Sequence, residues 1–387
     1  APRSSARGDA SLRTVEHAAV PAAPGSIICA HAKFELRHSG GQAVAGAYVY
    51  DPSSGRLVDE GSAFIGSFCD AHIRPKGFAD AALMDAFESA ARAAARCGAC
   101  VGARCSEIVT EIQDPANIGA FFVLPSQLNA AEYPAHNFVV ERIDQYKHDK
   151  TGGPRGQLAV HPGVGQFILD NAATDHRLGG INSVCDFLPE SKSRMPSEGA
   201  KAYKLHLRNG YLALPYCDPA LHGDILQGLR AALHTMRCLC ALDVPSCGLA
   251  PSFASFAAST HRVNLVYASA VPVQAYLNAG KADPAFQQEV GRLVLVGQYY
   301  GALLRAARCG PVPAAATASP APTRRKVFLM LLGGGVFNNR AEVIAGAIAT
   351  AMELVAADVG GEAMTALDVQ LLLYGGVPSD HPVTGHL

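Results

Sequence analysis

Two glycine-rich turns hold the residues whose types and spacing could do chemistry. The first is Gly333, Gly334 and Gly335, directly behind six unbroken apolar residues, 327–332. Three glycines let the backbone turn sharply and approach a ligand closely. The amides of such a turn, with those at the start of a following helix, make an anion site suited to a phosphate or diphosphate. The second is Asp149, Lys150, Thr151, Gly152, Gly153, Pro154, Arg155 and Gly156. There a carboxylate, a hydroxyl and backbone amides can hold a sugar hydroxyl and a phosphate together. A third polar stretch carries Asp170, Asn171, Ala172, Ala173 and Asp175, then Gly179 and Gly180. Asp149 and Asp175 are the carboxylates next to the glycines of the second and third stretches. For each stretch the plainer alternative is a tight turn that binds nothing.

Composition narrows the choice. With 387 residues, 49% of them apolar and 17% charged, the chain can bury a large core. A net charge of −1 gives no general attraction to nucleic acid or an anionic membrane surface. The absence of Trp disfavours a base-stacking platform, and no apolar run reaches bilayer-spanning length. Cys97, Cys100 and Cys105 have ligand-like spacing, but no fourth ligand follows, so no metal is implied. The 11 cysteines read as buried free thiols of an intracellular protein. Residues 1–25, rich in Ala, Ser and Arg with two acids, resemble the tail of an organelle transit peptide. A disordered terminus explains them equally well.

The elements that must position these turns follow from pattern. The run 327–332 reads as a strand buried on both faces, and 341–358, rich in strong helix formers, as a helix. The run 366–374 is a second buried strand, so a β-α-β unit with neighbouring strands is expected. Residues 138–146 read as a strand leading into Asp149, and 261–270 as a strand ending in Ser269. A long helix is expected over 283–309 and an exposed Pro/Ala-rich insertion over 310–322. Hairpins are expected over 46–66 and around Asn209-Gly210, and helices over 80–96 and 221–238. Residues 105–112 alternate weakly, as a strand would, while 116–129 are apolar and ambiguous. Four strands would then end in small or polar residues, and in open α/β sheets such ends converge on one crevice.

Those residues resemble a known family. Leu332, Gly333, Gly334, Gly335, Val336, Phe337, Asn338 and Asn339, with the helix after them, resemble the second phosphate loop of macrodomains. Asp149 to Pro154 is similar to the glycine-rich first loop of the poly(ADP-ribose) glycohydrolase branch, which makes Asp149 the candidate acid near the anomeric carbon. A competing alignment places Asn171, Ala172, Ala173, Gly179 and Gly180 on the first ribose loop of ordinary macrodomains, and makes Asp175 the candidate acid. The resemblance implies a macrodomain-like α/β fold of three layers with a mixed central sheet, over residues 133–387. A separate α+β extension is expected over 26–132. It implies an ADP-ribose or ADP-ribosylated protein partner, and removal of ADP-ribose from modified protein, with no cofactor. Gly333 to Asn339 would hold the diphosphate; Thr151, Gly152, Gly153 and Pro154 the distal ribose and second phosphate; Asn171 and Ser269 would line the site. One departure stands out: Gln157 and Leu158 occupy the place of that branch's paired glutamates.

Overall fold

The computed structural model describes residues 32–37, 43–51, 56–59, 64–72, 98–135, 137–172, 206–213, 219–232, 236–246, 261–273, 283–313, 323–335 and 337–373. The helix expected over 80–96, and Asp175, Gly179, Gly180 and Val336, lie outside them, as do residues 1–25 and most of 310–322.

Ten strands form one mixed sheet. In chain order its members are β1 (Ala32–Arg37), β2 (Ala43–Asp51), β3 (Arg56–Asp59), β4 (Phe64–His72), β5 (Cys100–Cys105) and β6 (Phe121–Ser126). A separate two-stranded hairpin, β7 (His206–Arg208) and β8 (Tyr211–Ala213), turns at Asn209-Gly210. The sheet resumes with β9 (Arg237–Pro245), β10 (Arg262–Ser269), β11 (Arg325–Met330) and β12 (Leu367–Leu373). Its spatial order is β1-β2-β3-β4-β9-β10-β6-β11-β12-β5. The strands β10, β6, β11, β12 and β5 are mutually parallel, while the β1 to β9 side is antiparallel. Strands from both sides of residue 133 share this sheet, because β6 lies between β10 and β11.

Helices cover both faces of the parallel half. Their ranges are α1 (Ile108–Gln113), α2 (Gly152–Leu158), α3 (Pro162–Asn171), α4 (His222–Ala232), α5 (Pro284–Cys309), α6 (Ala341–Val359) and α7 (Gly361–Thr365). Phe121 and Val123 enter a core with α5 and α6, while Phe122 and Leu124 enter a second core with α1, α2 and α3. Alternation along one strand therefore supplies both sides of a three-layer sandwich. Phe122 and Phe328, on adjacent strands, stack at 4.7 Å within the second core.

The β11-α6-β12 unit has the expected form, with Val327 opposite Val369 and Leu329 opposite Leu371 in direct parallel pairing. Helix α5 starts where Asp283 Oδ1 accepts from Phe286 N at 2.9 Å and Pro284 fills the first turn. It stops at Gly310, whose φ is +64°.

Three expectations are corrected. Residues 138–146 form no strand; a 3-10 turn, Ile143–His148, takes their place. The place between β10 and β11 is filled by β6, so this segment has no ladder to join. Its amides bond side chains instead: Gln145 Oε1 accepts from Glu141 N and Arg142 N, and Gln166 Oε1 from Ile143 N. Ile143 and Tyr146, three residues apart, then point together into the core. Residues 105–112 divide: the strand ends at Cys105, and Ile108, Val109 and Ile112 bury one face of helix α1. The helix expected over 221–238 ends at Ala232, because Cys238, Cys240 and Leu242 alternate into one core with Leu239 and Ala241 in the other. That period of two belongs to a strand, and β9 is one.

Candidate functional site

Adjacent parallel strands bring their carboxyl ends to one edge of the sheet. Ser269 of β10 and Ser126 of β6 are register partners, and Met330 ends β11 on the other side of β6. Three loops leave this edge side by side.

The loop after β11 turns at Gly333, where φ is +71° and a Cβ would lie 2.4 Å from Asn339 Nδ2 and 2.6 Å from Ala270 Cβ. Only glycine fits there. Asn339 is buried and fastens the turn: its amide donates to Val271 O at 2.9 Å and its backbone N–H to Gly333 O at 3.0 Å. Asn338 takes φ +56° and donates its N–H to Gly335 O at 2.9 Å. Gly334 N donates back to Leu331 O, whereas the amides of Gly333 and Gly335 meet no acceptor among the described residues. Gly335 is exposed and faces open space. The Phe337 ring tilts against Tyr211 of the β7-β8 hairpin at 5.8 Å, which brings that hairpin beside the loop.

The second glycine turn meets the first through Met330. A Cβ on Gly152 would lie 2.5 Å from Met330 Cε, on the strand that runs into Gly333. Gly153 sits closer still: its Cβ would be 2.0 Å from Pro125 O and 2.4 Å from the Glu132 carboxyl. Gly156 presses on Leu124 in the same way, at 2.4 Å. These glycines seat α2 directly on β6, and Pro154 and Arg155 are buried with it. Asp149 precedes the helix, half-buried; its Oδ1 accepts from Thr151 N at 2.8 Å and Thr151 Oγ at 2.6 Å.

The other expected residues are placed differently. Asn171 closes the end of α3, donating from Nδ2 to Phe167 O at 2.8 Å. Ser269 is buried; its N–H donates to Gln298 Oε1 at 2.9 Å and its hydroxyl to Ala270 O at 3.3 Å. Among the described residues no group of three or more His, Cys, Asp or Glu side chains gathers as a metal site. No described helix is long and apolar enough to cross a membrane.

Sequence reasoning missed Glu132. It leaves β6 in the loop 127–133 and is buried, with φ +52°, two residues after Ala130 at φ +60°. Left-handed backbone at non-glycine residues is strained and survives only where the surroundings dictate it. Here they do. Gln157 Nε2 donates to Ala130 O at 3.1 Å, Tyr146 OH to Ala131 O, Tyr211 OH to Tyr133 O at 2.6 Å, and Leu128 N to Gly210 O at 3.0 Å. Burial pushes the Glu132 carboxyl well above the usual carboxylate range; the nearby Ser126 hydroxyl opposes this, and the charge of Asp149 adds to it. The Tyr267 phenol is pushed up as well, by burial and then by Glu132. One signal was available: Glu132 is the first charged residue after Asp114, at the end of an otherwise uncharged stretch.

No family model matches the sequence, and no curated protein does. Among solved structures the chain is similar to poly(ADP-ribose) glycohydrolase from Deinococcus radiodurans. A point mutant of that enzyme in complex with ADP-ribose is 12% identical, over 82% of this chain and 92% of that chain, with a TM-score of 0.32. The apo form is 11% identical, over 82% and 90%, with a TM-score of 0.32. At that level of overlap no residue of this chain inherits a role from those enzymes.

Proposed function

We propose that this protein is an ADP-ribosyl glycohydrolase that removes ADP-ribose from modified protein. The observation that carries the reading is the meeting of two glycine turns at one sheet edge, where Gly152 lies against Met330 and Met330 leads into Gly333. In this reading the amides of Gly333 and Gly335, unpartnered among the described residues, take the diphosphate, with Val336 and Phe337 as further ligand contacts. Thr151, Gly152, Gly153 and Pro154 border the distal ribose, and Asp149 stands near its anomeric carbon. Asn338 and Asn339 serve by shaping the turn rather than by touching the ligand.

A second reading is a non-catalytic reader of ADP-ribose. What favours it is Gln157, which stands near the place of the expected paired glutamates and spends its amide on Ala130 O. One experiment separates the two. Calorimetry with ADP-ribose, ADP, NAD and AMP tests binding, and release of ADP-ribose from modified proteins of several linkages tests turnover. Binding with turnover supports the hydrolase, binding alone the reader, and neither would remove both.

A further inference from the structure

Polar side chains from four elements are buried together at the carboxyl end of β6. Ser126 ends β6, Glu132 follows in the loop, Gln157 comes from α2 and Tyr267 from β10. Glu132 Oε1, Gln157 Oε1 and the Tyr267 hydroxyl have no hydrogen-bond partner among the described residues. An unsatisfied buried polar atom costs about 1–3 kcal/mol. Three such atoms beside a strained loop mark a place built for something other than stability.

Two carboxyl groups stand at the start of α2. Glu132 packs on Gly153, and Asp149, just before the helix, accepts from Thr151 N and Thr151 Oγ. Asp149 is close enough for its charge to act on Glu132. Their surroundings differ, Glu132 enclosed and Asp149 half-exposed and hydrogen-bonded. That is the division of labour of an acid and a base acting on one glycosidic bond.

We propose that Glu132 is the proton donor to the leaving group and Asp149 the base that activates water. This rests on the ADP-ribosyl hydrolase reading above. As the bond from the anomeric carbon to the protein's oxygen or nitrogen breaks, the Glu132 proton passes to that atom. Water adds to the anomeric carbon and gives its proton to Asp149. The products are ADP-ribose and the restored side chain, with Glu132 ionised and Asp149 protonated; exchange with solvent resets both. Such a donor matters for leaving groups that depart poorly as anions, so the substrate class is hydroxyl- or nitrogen-linked ADP-ribose.

The test compares two substrates of the full chain: a hydroxyl-linked ADP-ribosyl peptide, and ADP-ribose carrying 4-nitrophenoxy at the anomeric carbon. Nitrophenolate leaves without a proton. Glu132→Gln should lose about 10²- to 10⁴-fold in kcat on the peptide, the usual scale for a lost acid, and far less on the nitrophenyl substrate. Its ADP-ribose Kd should stay at the parental value. Equal loss on both substrates, or no loss on either, would overturn the proposal while leaving the hydrolase reading in place. If the variant does not fold, the parent decides: its rate on the peptide should fall at high pH, and its rate on the nitrophenyl substrate should not. Matching pH profiles would overturn the proposal. A parent that binds ADP-ribose but cleaves neither substrate overturns it in favour of the reader; a parent that does not bind removes the reading beneath it.

Discussion

The Glu132 carboxyl occupies the space where a side chain on Gly153 would stand. A Cβ there would lie 2.4 Å from both Glu132 Cδ and Oε2, and 2.0 Å from the Pro125 carbonyl oxygen. The glycine turn and the buried acid are therefore one packed unit.

This predicts a severe effect of Gly153→Ala. The carbonyl of Pro125 belongs to the central strand β6 and cannot move aside without disturbing its neighbours. Overpacking of this kind costs about 1–3 kcal/mol or somewhat more. Urea unfolding should show a lower midpoint at unchanged slope. A parental midpoint would mean that α2 can lift off β6 freely.

The same packing implies a stability signature in pH. An acid whose folded value is raised keeps its proton in the native state after the unfolded chain, near about 4.3, has lost it. The native state then binds more protons, so stability is greatest below the unfolded value and falls as pH rises toward the folded one. For one group the slope is about 1.4 kcal/mol per pH unit. Glu132→Gln removes it, and unfolding curves from pH 5 upward should lie flatter and higher for the variant than for the parent. Parallel curves would show that Glu132 titrates normally.

How much of this was legible in the sequence depended on whether a signal was local. The β11-α6-β12 unit was, because an unbroken apolar run, a glycine turn and a helix-forming run follow one another within 50 residues. Strand β6 was not: Phe121 and Val123 face one core, Phe122 and Leu124 the other, so no alternation marks it. Residues 138–146 misled because Val139, Val140 and Ile143 suit a strand, while the competing claim of β6 lies in the tertiary structure. Glu132 was hidden for the same reason. Its burial is produced by Tyr146, Gly153 and Tyr267, which no spacing rule connects to it.

The turn at Gly333, Gly334 and Gly335 gives a graded set of substitutions. Gly334 has an ordinary φ, and a Cβ there would meet Ile344 Cδ1 and Leu331 Cβ at 3.3 Å, contacts that small shifts relieve. Gly334→Val should leave the fold mostly intact yet abolish ADP-ribose affinity, because a side chain blocks backbone approach to the diphosphate. Gly333→Ala should instead lower stability, since φ +71° and the 2.4 Å approach of Asn339 Nδ2 leave no room. Calorimetry and thermal melting together read both effects. A Gly334→Val protein that binds ADP-ribose as tightly as the parent would show that the diphosphate lies elsewhere.

Asp149 and Asp175 offer the direct comparison between the two alignments of the first loop. Asp149→Ala removes the oxygen that accepts from Thr151 N and Thr151 Oγ, so a loss of about 1 kcal/mol in stability is expected from the broken hydrogen bonds alone. If its carboxylate also acts on the reacting ribose, turnover of an ADP-ribosylated protein should fall by about 10²-fold or more. Binding of ADP-ribose should change far less, because in the proposed site the diphosphate is held by backbone amides of the Gly333 turn. Asp149→Asn separates the two roles: the amide oxygen can still accept from Thr151, but the side chain cannot take a proton from water. Stability restored with activity still lost assigns the carboxylate to the reaction. Full activity in Asp149→Asn removes Asp149 from it, and a larger loss in Asp175→Ala would move the base to Asp175.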